Sequence, residues 1–435
     1  MLRSKIGLII LFFFAGCFNL LSQVLTLDEA INIALKNNYD ILIAANDTLA
    51  AGINNSAGNA GMLPKINITS TDNNTINNLD QKYSTGTEVK KSNVNANSIT
   101  ASAGFTWTLF DGMKMFITKE KLATLEAQSL ISFKDNVQNI LSSVISAYFN
   151  IVSQKQEILA QIETNKISEE RVKIAKVKFE NGSGGKTDLL QAQIDLNEGK
   201  SVLLQLNVDL EQKKNLLNQI IARAIEQPFE VIDSIPVNFK ISQNDILSKI
   251  NDKNLSVLLY ASNLQVSKLS LKEIQSQRMP QLNFLLGYNY SYSKSGAGLM
   301  LFNQGIGPNY GFNISFPVFN GFNINRQIKV ASLDVIKSQY ELDKIKLQVN
   351  NDLLKAFKNY SYSLEVLKIE EDNIELAKEN AKICLERLKL SQATSIEMIT
   401  AQNSLAAAYN RLITARYNAK LSETELMRLN GELIK

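Results

Sequence analysis

Phe110-Asp111-Gly112-Met113 and Phe319-Asn320-Gly321-Phe322 open two stretches, running to Ala222 and to Gly431, that align without insertion or deletion at a constant offset of 209. Phe110, Gly112, Ala147, Asn150, Glu170, Lys173, Ala192, Gln193, Leu196 and Leu217 meet Phe319, Gly321, Ala356, Asn359, Glu379, Lys382, Ala401, Gln402, Leu405 and Leu426. A duplication of this length means that the chain builds one structural unit twice. The earlier part of each half also matches, at an offset of 216: Leu63-Pro64-Lys65-Ile66-Asn67 meets Met279-Pro280-Gln281-Leu282-Asn283, and Lys36-Asn37-Asn38 meets Asp252-Lys253-Asn254. The seven-residue slip falls near residues 70–105 and 286–314. Segments there tolerate a change of length, and the later blocks do not.

Glycine and proline punctuate the chain unevenly, with neither in residues 113–181 or 322–430. Both runs are rich in Leu, Ala, Lys, Glu and Gln, which favour helix. A single helix over 322–430 would be roughly 160 Å long, so a reversal is expected, and the duplicate locates it. Asn181-Gly182-Ser183-Gly184-Gly185 breaks the first copy and aligns with Leu390-Ser391-Gln392-Ala393-Thr394. Each half is therefore predicted as a long helix, about 112–181 and 322–390, turning back into a shorter one, about 186–226 and 395–430. Ile328, Val335, Leu342, Val349 and Ala356 recur every seven residues, with Ala331, Ser338 and Ile345 between them. That interval winds helices left-handedly on neighbours. Small seam residues, with Asp352 and Asn359 interrupting, suit helices around a wet interior; an ordinary soluble bundle has the same spacing.

Period-two alternation marks strands before each helical block. Leu282, Phe284, Leu286, Tyr288, Tyr290 and Tyr292 form one face, Tyr310, Phe312, Ile314, Phe316 and Val318 another, and Ile99, Ala101, Ala103, Phe105, Trp107 and Leu109 a third. A fourth strand, from Ile66-Asn67-Ile68, alternates more weakly. The predicted spans are about 64–77, 96–110, 280–293 and 309–319. Thr71–Asn97 and Lys294–Pro308 are read as hairpin loops. The three clear strands carry no charge, and their other face is Asn, Ser, Thr and Gly. A soluble half-buried sheet alternates in this way too, but an aromatic face toward lipid and a neutral polar face toward water are what a membrane barrel needs. Four strands cannot close a barrel, since about eight is the smallest number. Several copies must then share one, and three copies giving twelve strands is the natural cyclic solution.

Met1–Ser22 has two early cations and an apolar run, Ile6–Ala15, the pattern of a signal peptide. A second reading makes Cys17 the lipidated first residue of the mature chain. The formal charge of +4 includes Arg3 and Lys5, so no strongly basic surface and no nucleic-acid partner is implied. Histidine is absent, which removes the commonest general base and metal ligand. No enzyme activity, cofactor or metal is expected. Gly185-Lys186-Thr187 ends like a phosphate-binding loop, but Glu180 stands where that pattern needs its first glycine. The lysines and glutamates of 155–180 and 365–389 read as a solvated helix face.

In this order the pieces resemble the TolC-like family of outer-membrane efflux channels, over essentially the whole mature chain. Leu25-Thr26-Leu27-Asp28-Glu29-Ala30 with Ala34-Leu35-Lys36-Asn37-Asn38 looks like the family's opening helix. Leu109-Phe110-Asp111-Gly112 and Pro317-Val318-Phe319-Asn320-Gly321 look like its strand-to-helix corners. Phe179, Gly182, Asp188-Leu189-Leu190 and Ala192-Gln193 look like its periplasmic turn, and Ala415-Arg416-Tyr417-Asn418 with Leu429-Asn430-Gly431 like its last helix.

The resemblance implies an α+β membrane protein with a signal peptide (1–22) and two structural repeats (23–241 and 242–435), each two strands followed by a long helical hairpin. It implies a homotrimer sharing a 12-stranded barrel in the outer membrane of a Gram-negative bacterium, continued by an α-helical barrel in the periplasm. Such a duct is passive and docks to a periplasmic adaptor protein and an inner-membrane RND or ABC transporter. The helix reversals, with Phe179, Gly182, Gly185, Leu388, Ser391 and Thr394, would form the adaptor-docking tip. Asp188 and Glu397 stand where the family's carboxylates narrow the tunnel mouth; each is also a first-turn acid complementing a helix N-terminus. Thr400 replaces a deeper carboxylate found in some members, and Leu388 and Ala393 stand where an aromatic and an arginine lock the mouth. An exported coiled-coil adaptor without a pore is the competing reading.

Overall fold

The computed structural model describes residues 24–237, 253–298 and 300–433. The expected signal peptide, with Cys17, lies outside them. In chain order the elements are α1 (Leu27–Asn37), α2 (Tyr39–Asn54), β1 (Lys65–Lys82), β2 (Glu88–Phe110), α3 (Lys114–Glu180), α4 (Lys186–Ile220), α5 (Leu255–Ser276), β3 (Gln281–Ser295), β4 (Phe302–Ser315), α6 (Asn323–Lys389) and α7 (Ser395–Leu429). None of the described helices is long and apolar enough to cross a membrane.

Contacts divide the chain into two compact units that do not follow the two repeats. One holds residues up to Ala45, Ser132–Leu258 and the chain from Ile345; the other holds Asn46–Ile131 and Leu259–Lys344. Each unit draws on both repeats because α3 and α6 run through both.

In the first unit, apolar residues of α1, α3 and α4 bury one another: Ala30, Ala34, Val144, Tyr148, Phe149, Val152, Leu217 and Ile221, closed by Phe229. Tyr148 donates its hydroxyl to the Leu25 carbonyl at 2.9 Å, and burial pushes its pKa up. The duplication reappears in the polar joints. Asn38 caps α2 through its carbonyl oxygen and donates to the Ile220 carbonyl at 2.7 Å, where α4 ends. Its counterpart Asn254 accepts from the Val257 N–H at 3.2 Å and donates to the Leu429 carbonyl at 3.1 Å, where α7 ends. Each asparagine thus satisfies an orphan group at two helix termini.

Leu342, Val349 and Ala356 are buried as the heptad predicts, and the same interval continues to Ser363 and Glu370. The second row departs from it. Leu353 and Tyr360 are buried, one residue beyond Asp352 and Asn359. Asp352 and Asn359 thereby stay off the buried rows. Glu370 is a further correction. It belongs to the expected solvated face but is buried, accepting from Arg411 Nε at 3.1 and 3.2 Å.

The second unit holds the antiparallel sheet, in the order β1-β2-β3-β4. Ile66, Phe105, Leu286 and Tyr310 lie across one face, then Ile68, Ala103, Tyr288 and Pro308, then Ser70, Ala101, Tyr290 and Ile306. Phe284 stacks between Phe105 and Phe312, with centroids at 6.1 and 5.2 Å. Asp72 stands at the outer end of this face in the row of Ile99 and Tyr292, accepting from Asn97 at 2.7 Å. The other face carries Asn67, Gly104, Gly287 and Asn309, then Thr69, Ser102, Asn289 and Gly307, all uncharged, with Lys65 beside Thr106 at its start.

Both expected outer loops are mostly strand. The first hairpin pairs as far as Lys82 opposite Glu88, held by ion pairs Lys82–Glu88 (2.5 Å) and Asp80–Lys90 (2.8 Å). The second pairs as far as Lys294 opposite Phe302. β4 therefore runs 302–315 rather than 309–319. Gly305, Gly307 and Pro308 read as loop in the sequence, but β4 is an edge strand, where proline is tolerated, and Pro317 ends the pairing instead. α4 ends at Ile220 rather than near 226, because Ala222 takes φ +51° and turns the chain.

The two strand-to-helix corners share a backbone in which Gly112 and Met113 take φ +73° and +71°, and Gly321 and Phe322 +64° and +60°. Their surroundings differ. A Cβ on Gly112 would lie 2.5 Å from the Ser276 carbonyl oxygen and 2.6 Å from Met279 Cβ, whereas one on Gly321 meets nothing within 4 Å. Both Gly→Ala variants pay a left-handed penalty of about 1–2 kcal/mol. Gly112→Ala is expected to cost clearly more, read as a larger fall in the unfolding midpoint in detergent. Ser391 carries the same penalty in the native chain, at φ +59°, so Ser391→Gly is expected to raise stability by about 1 kcal/mol in the same assay.

Candidate functional site at the helix reversals

Each long helix stops in the same hydrogen-bonded turn. After α3 the Gly182 N–H donates to the Phe179 carbonyl (3.0 Å) and the Ser183 N–H to the Lys178 carbonyl (2.9 Å). After α6 the Ser391 N–H donates to Leu388 (3.2 Å) and the Gln392 N–H to Arg387 (2.8 Å). This is the Schellman arrangement, with a left-handed residue just past the helix. Gly182 and Ser391 hold that place, at φ +72° and +59°.

The returning helices begin differently. Thr394 caps α7 in a full capping box: its hydroxyl accepts from the Glu397 N–H at 3.2 Å, and the Glu397 carboxylate accepts from the Thr394 N–H at 3.1 Å. α4 starts at Gly185, which has no side chain to cap with. Asp188 and Glu397 occupy the same helical position and both are exposed. The Gly185-Lys186-Thr187 sequence lies in a helix–turn–helix context, not after a strand.

The two reversals are tied together. Lys178 donates to the Leu388 carbonyl at 2.9 Å, a cation on the C-terminal carbonyls of α6. A cleft of about 340 Å³ beside this bond is lined by Arg171, Asp188, Leu388, Ala393 and Thr394. Of the expected tip residues, Phe179 is 42% exposed but Leu388 only 6%. The leucine side chain packs inside and offers a partner no surface. Glu170, Lys173 and Lys389 form an exposed ionic group. The Lys173 hydrogen bond, at 2.7 Å, and then the nearby charges hold the Glu170 carboxyl below its usual range. Exposed pairs of this kind contribute little to stability.

One cluster was invisible in the sequence. Arg171, buried on α3, donates to Gln402 on α7 at 3.0 Å and to Asp195 on α4 at 2.9 Å. Gln402 in turn donates to Ser168 at 2.6 Å. The identity of Gln193 and Gln402 across the duplication marks the glutamine. Nothing distinguishes Arg171 from the neighbouring lysines of a solvated face. Thr400 bonds back to the Ile396 carbonyl at 2.9 Å and supplies no charge.

Comparison with known proteins agrees with this layout from end to end. The family model described as outer membrane efflux protein matches residues 30–223 and 246–432. Outer membrane protein TolC of Escherichia coli is 22% identical, covering 96% of this chain and 87% of its own length. The alkaline protease secretion protein AprF of Pseudomonas aeruginosa is 20% identical, over 67% of this chain and 62% of its own. Among solved structures, the Campylobacter jejuni CmeC outer membrane channel superposes with a TM-score of 0.78 at 16% identity, over 94% of this chain and 86% of that one. VceC of Vibrio cholerae gives 0.75 at 16% identity, over 93% and 96%. The duplicated strand and helix hairpins are those of the outer membrane efflux protein family, to which this chain belongs.

Proposed function

We propose that the chain is the passive exit duct of a tripartite efflux or type I secretion assembly, working as a homotrimer. The observation that carries this reading is the sheet, with an aromatic face, a neutral polar face and two unpaired edges among the described residues. Three such sheets close into twelve strands around a water-filled lumen. The long helices, roughly 100 Å each, form a tunnel wall in the periplasm. The reversals at 179–188 and 388–397 face a periplasmic adaptor, with an inner-membrane RND or ABC transporter supplying the energy. An exported coiled-coil adaptor would have no use for an exposed aromatic sheet. Recovery of the full chain as a trimer from detergent-solubilised outer membranes is expected; a soluble periplasmic monomer would sink this reading.

Asp188 and Glu397 are assigned to the narrow mouth, where three copies make rings of carboxylates that favour cations. The capping box occupies part of the Glu397 carboxylate, so the end of α7 and the mouth depend on the same group. Glu397→Gln separates the two roles, because glutamine preserves the box and removes the charge. Glu397→Gln with Asp188→Asn is expected to lower the cation preference of the reconstituted pore at a stability cost of about 1 kcal/mol or less per helix N-terminus. Glu397→Ala is expected to cost about 1 kcal/mol in addition. An unaltered reversal potential in the double variant would leave both acids as helix-terminal residues only.

A further inference from the structure

The two strand hairpins are one object twice, down to their register. Lys65 faces Thr106 and Ile76 faces Asn95 in the first. Gln281 faces Ser315 and Tyr292 faces Gln304 in the second. The offset of 216 carries β1 onto β3, the offset of 209 carries β2 onto β4, and each pair lands on its counterpart. Within the chain the hairpins join through β2 and β3, with Gly104 opposite Gly287 and Thr106 opposite Leu285. The matching junction for β4 is a β1 strand, and the chain's own β1 lies at the far edge.

Resting on the trimeric reading above, we propose the register of the seam between copies: β4 pairs antiparallel with β1 of the next copy, Asn313 opposite Thr71, Ser315 opposite Thr69 and Gly311 opposite Asn73. These pairs follow from applying the same two offsets to the β2–β3 junction.

The faces agree with it. All six residues lie on the polar face, and on the other face Ser70 meets Ile314 and Ile76 meets Pro308. A slip of one residue would turn every side chain to the wrong side. The lengths agree too. β1 has 18 residues and β4 has 14, and this register sets Phe302, the first of β4, against Lys82, the last of β1. The outer part of β1, which exceeds anything β3 offers, then has a partner on both sides.

Barrel closure fixes a third quantity. Lys65 levels with Thr106, Thr106 with Leu285 and Leu285 with Gly311, and the seam takes Gly311 to Asn73 of the next copy. The stagger is about eight residues per copy, which tilts the strands by roughly 55° from the barrel axis. At that tilt a strand as long as β4 rises roughly 26 Å, close to the height of a barrel's apolar band of about 25 Å.

Oxidative cross-linking in membranes tests the seam, in a Cys384→Ser background. Thr71→Cys with Asn313→Cys is expected to give covalent dimers and trimers on non-reducing gels, reversed by thiol and absent from either single variant. Thr69→Cys or Asn73→Cys, each with Asn313→Cys, moves the pair by two residues and is expected to cross-link at least five-fold less. A stronger ladder from either displaced pair would overturn the register and leave the trimer standing. Asn73→Cys with Gly311→Cys is a second pair in the same register. Silence from it and from all the others, in protein that purifies as a trimer, overturns the seam. Silence in protein that purifies as a monomer removes the channel reading as well.

Discussion

Backbone N–H and C=O groups cannot be left unpaired in hydrocarbon, where each costs several kcal/mol. The second unit ends in two open strand edges, β1 and β4, and carries an apolar face suited to lipid. Those two facts are compatible only if other strands cover the edges. The proposed sharing of one barrel by identical copies answers that demand. The helical part has no such requirement, because each long helix satisfies its own backbone and settles its ends with Schellman turns and asparagine joints.

Where the chain could be read in advance, it was read through its own duplicate. The reversal at Ser391 has neither glycine nor proline, and its one local signal is the Thr394-Ser395-Ile396-Glu397 capping pattern. Gly182, at the matching position, gives it away, and the backbone is the same in both. The heptad spacing located the seam as far as Ala356 and, continued, would have reached buried Glu370. The missed features were those in which tertiary context overrides local chemistry. Gly305, Gly307 and Pro308 are strand residues because β3 supplies each a partner, Ser291, Asn289 and Tyr288. The Asn-rich ends of β1 and β2 pair because cross-strand ions and amides hold them. Arg171 is buried because Asp195 and Gln402 come from two other helices to meet it, and no spacing within α3 records that.

The repeats have also diverged in informative ways. Past the long helices the left-handed position is Gly182 in the first copy and Ser391 in the second. Past the returning helices it is Ala222 and then Gly431. The backbone is preserved while the residue best suited to it is kept at only one of each pair. The ion pair near the end of the returning helices is reversed outright. Glu211 and Lys214 in α4, 3.2 Å apart, correspond to Lys420 and Glu423 in α7, at 2.6 Å. The inner position is thus cationic in one copy, facing Glu230 at 3.3 Å, and anionic in the other. Lys420 instead lies over the Phe149 ring, 5.3 Å from its centroid. Opposite charges at equivalent positions thus give each returning helix its own set of partners.

The neutral face of the sheet has a kinetic meaning. Its amides, hydroxyls and bare glycines offer weak, replaceable hydrogen bonds, and Lys65, at the start of β1, is the cation at its edge. On the proposed reading, in which this face lines a lumen, a cargo would meet no deep energy well there, and its dwell time would be close to that of free diffusion.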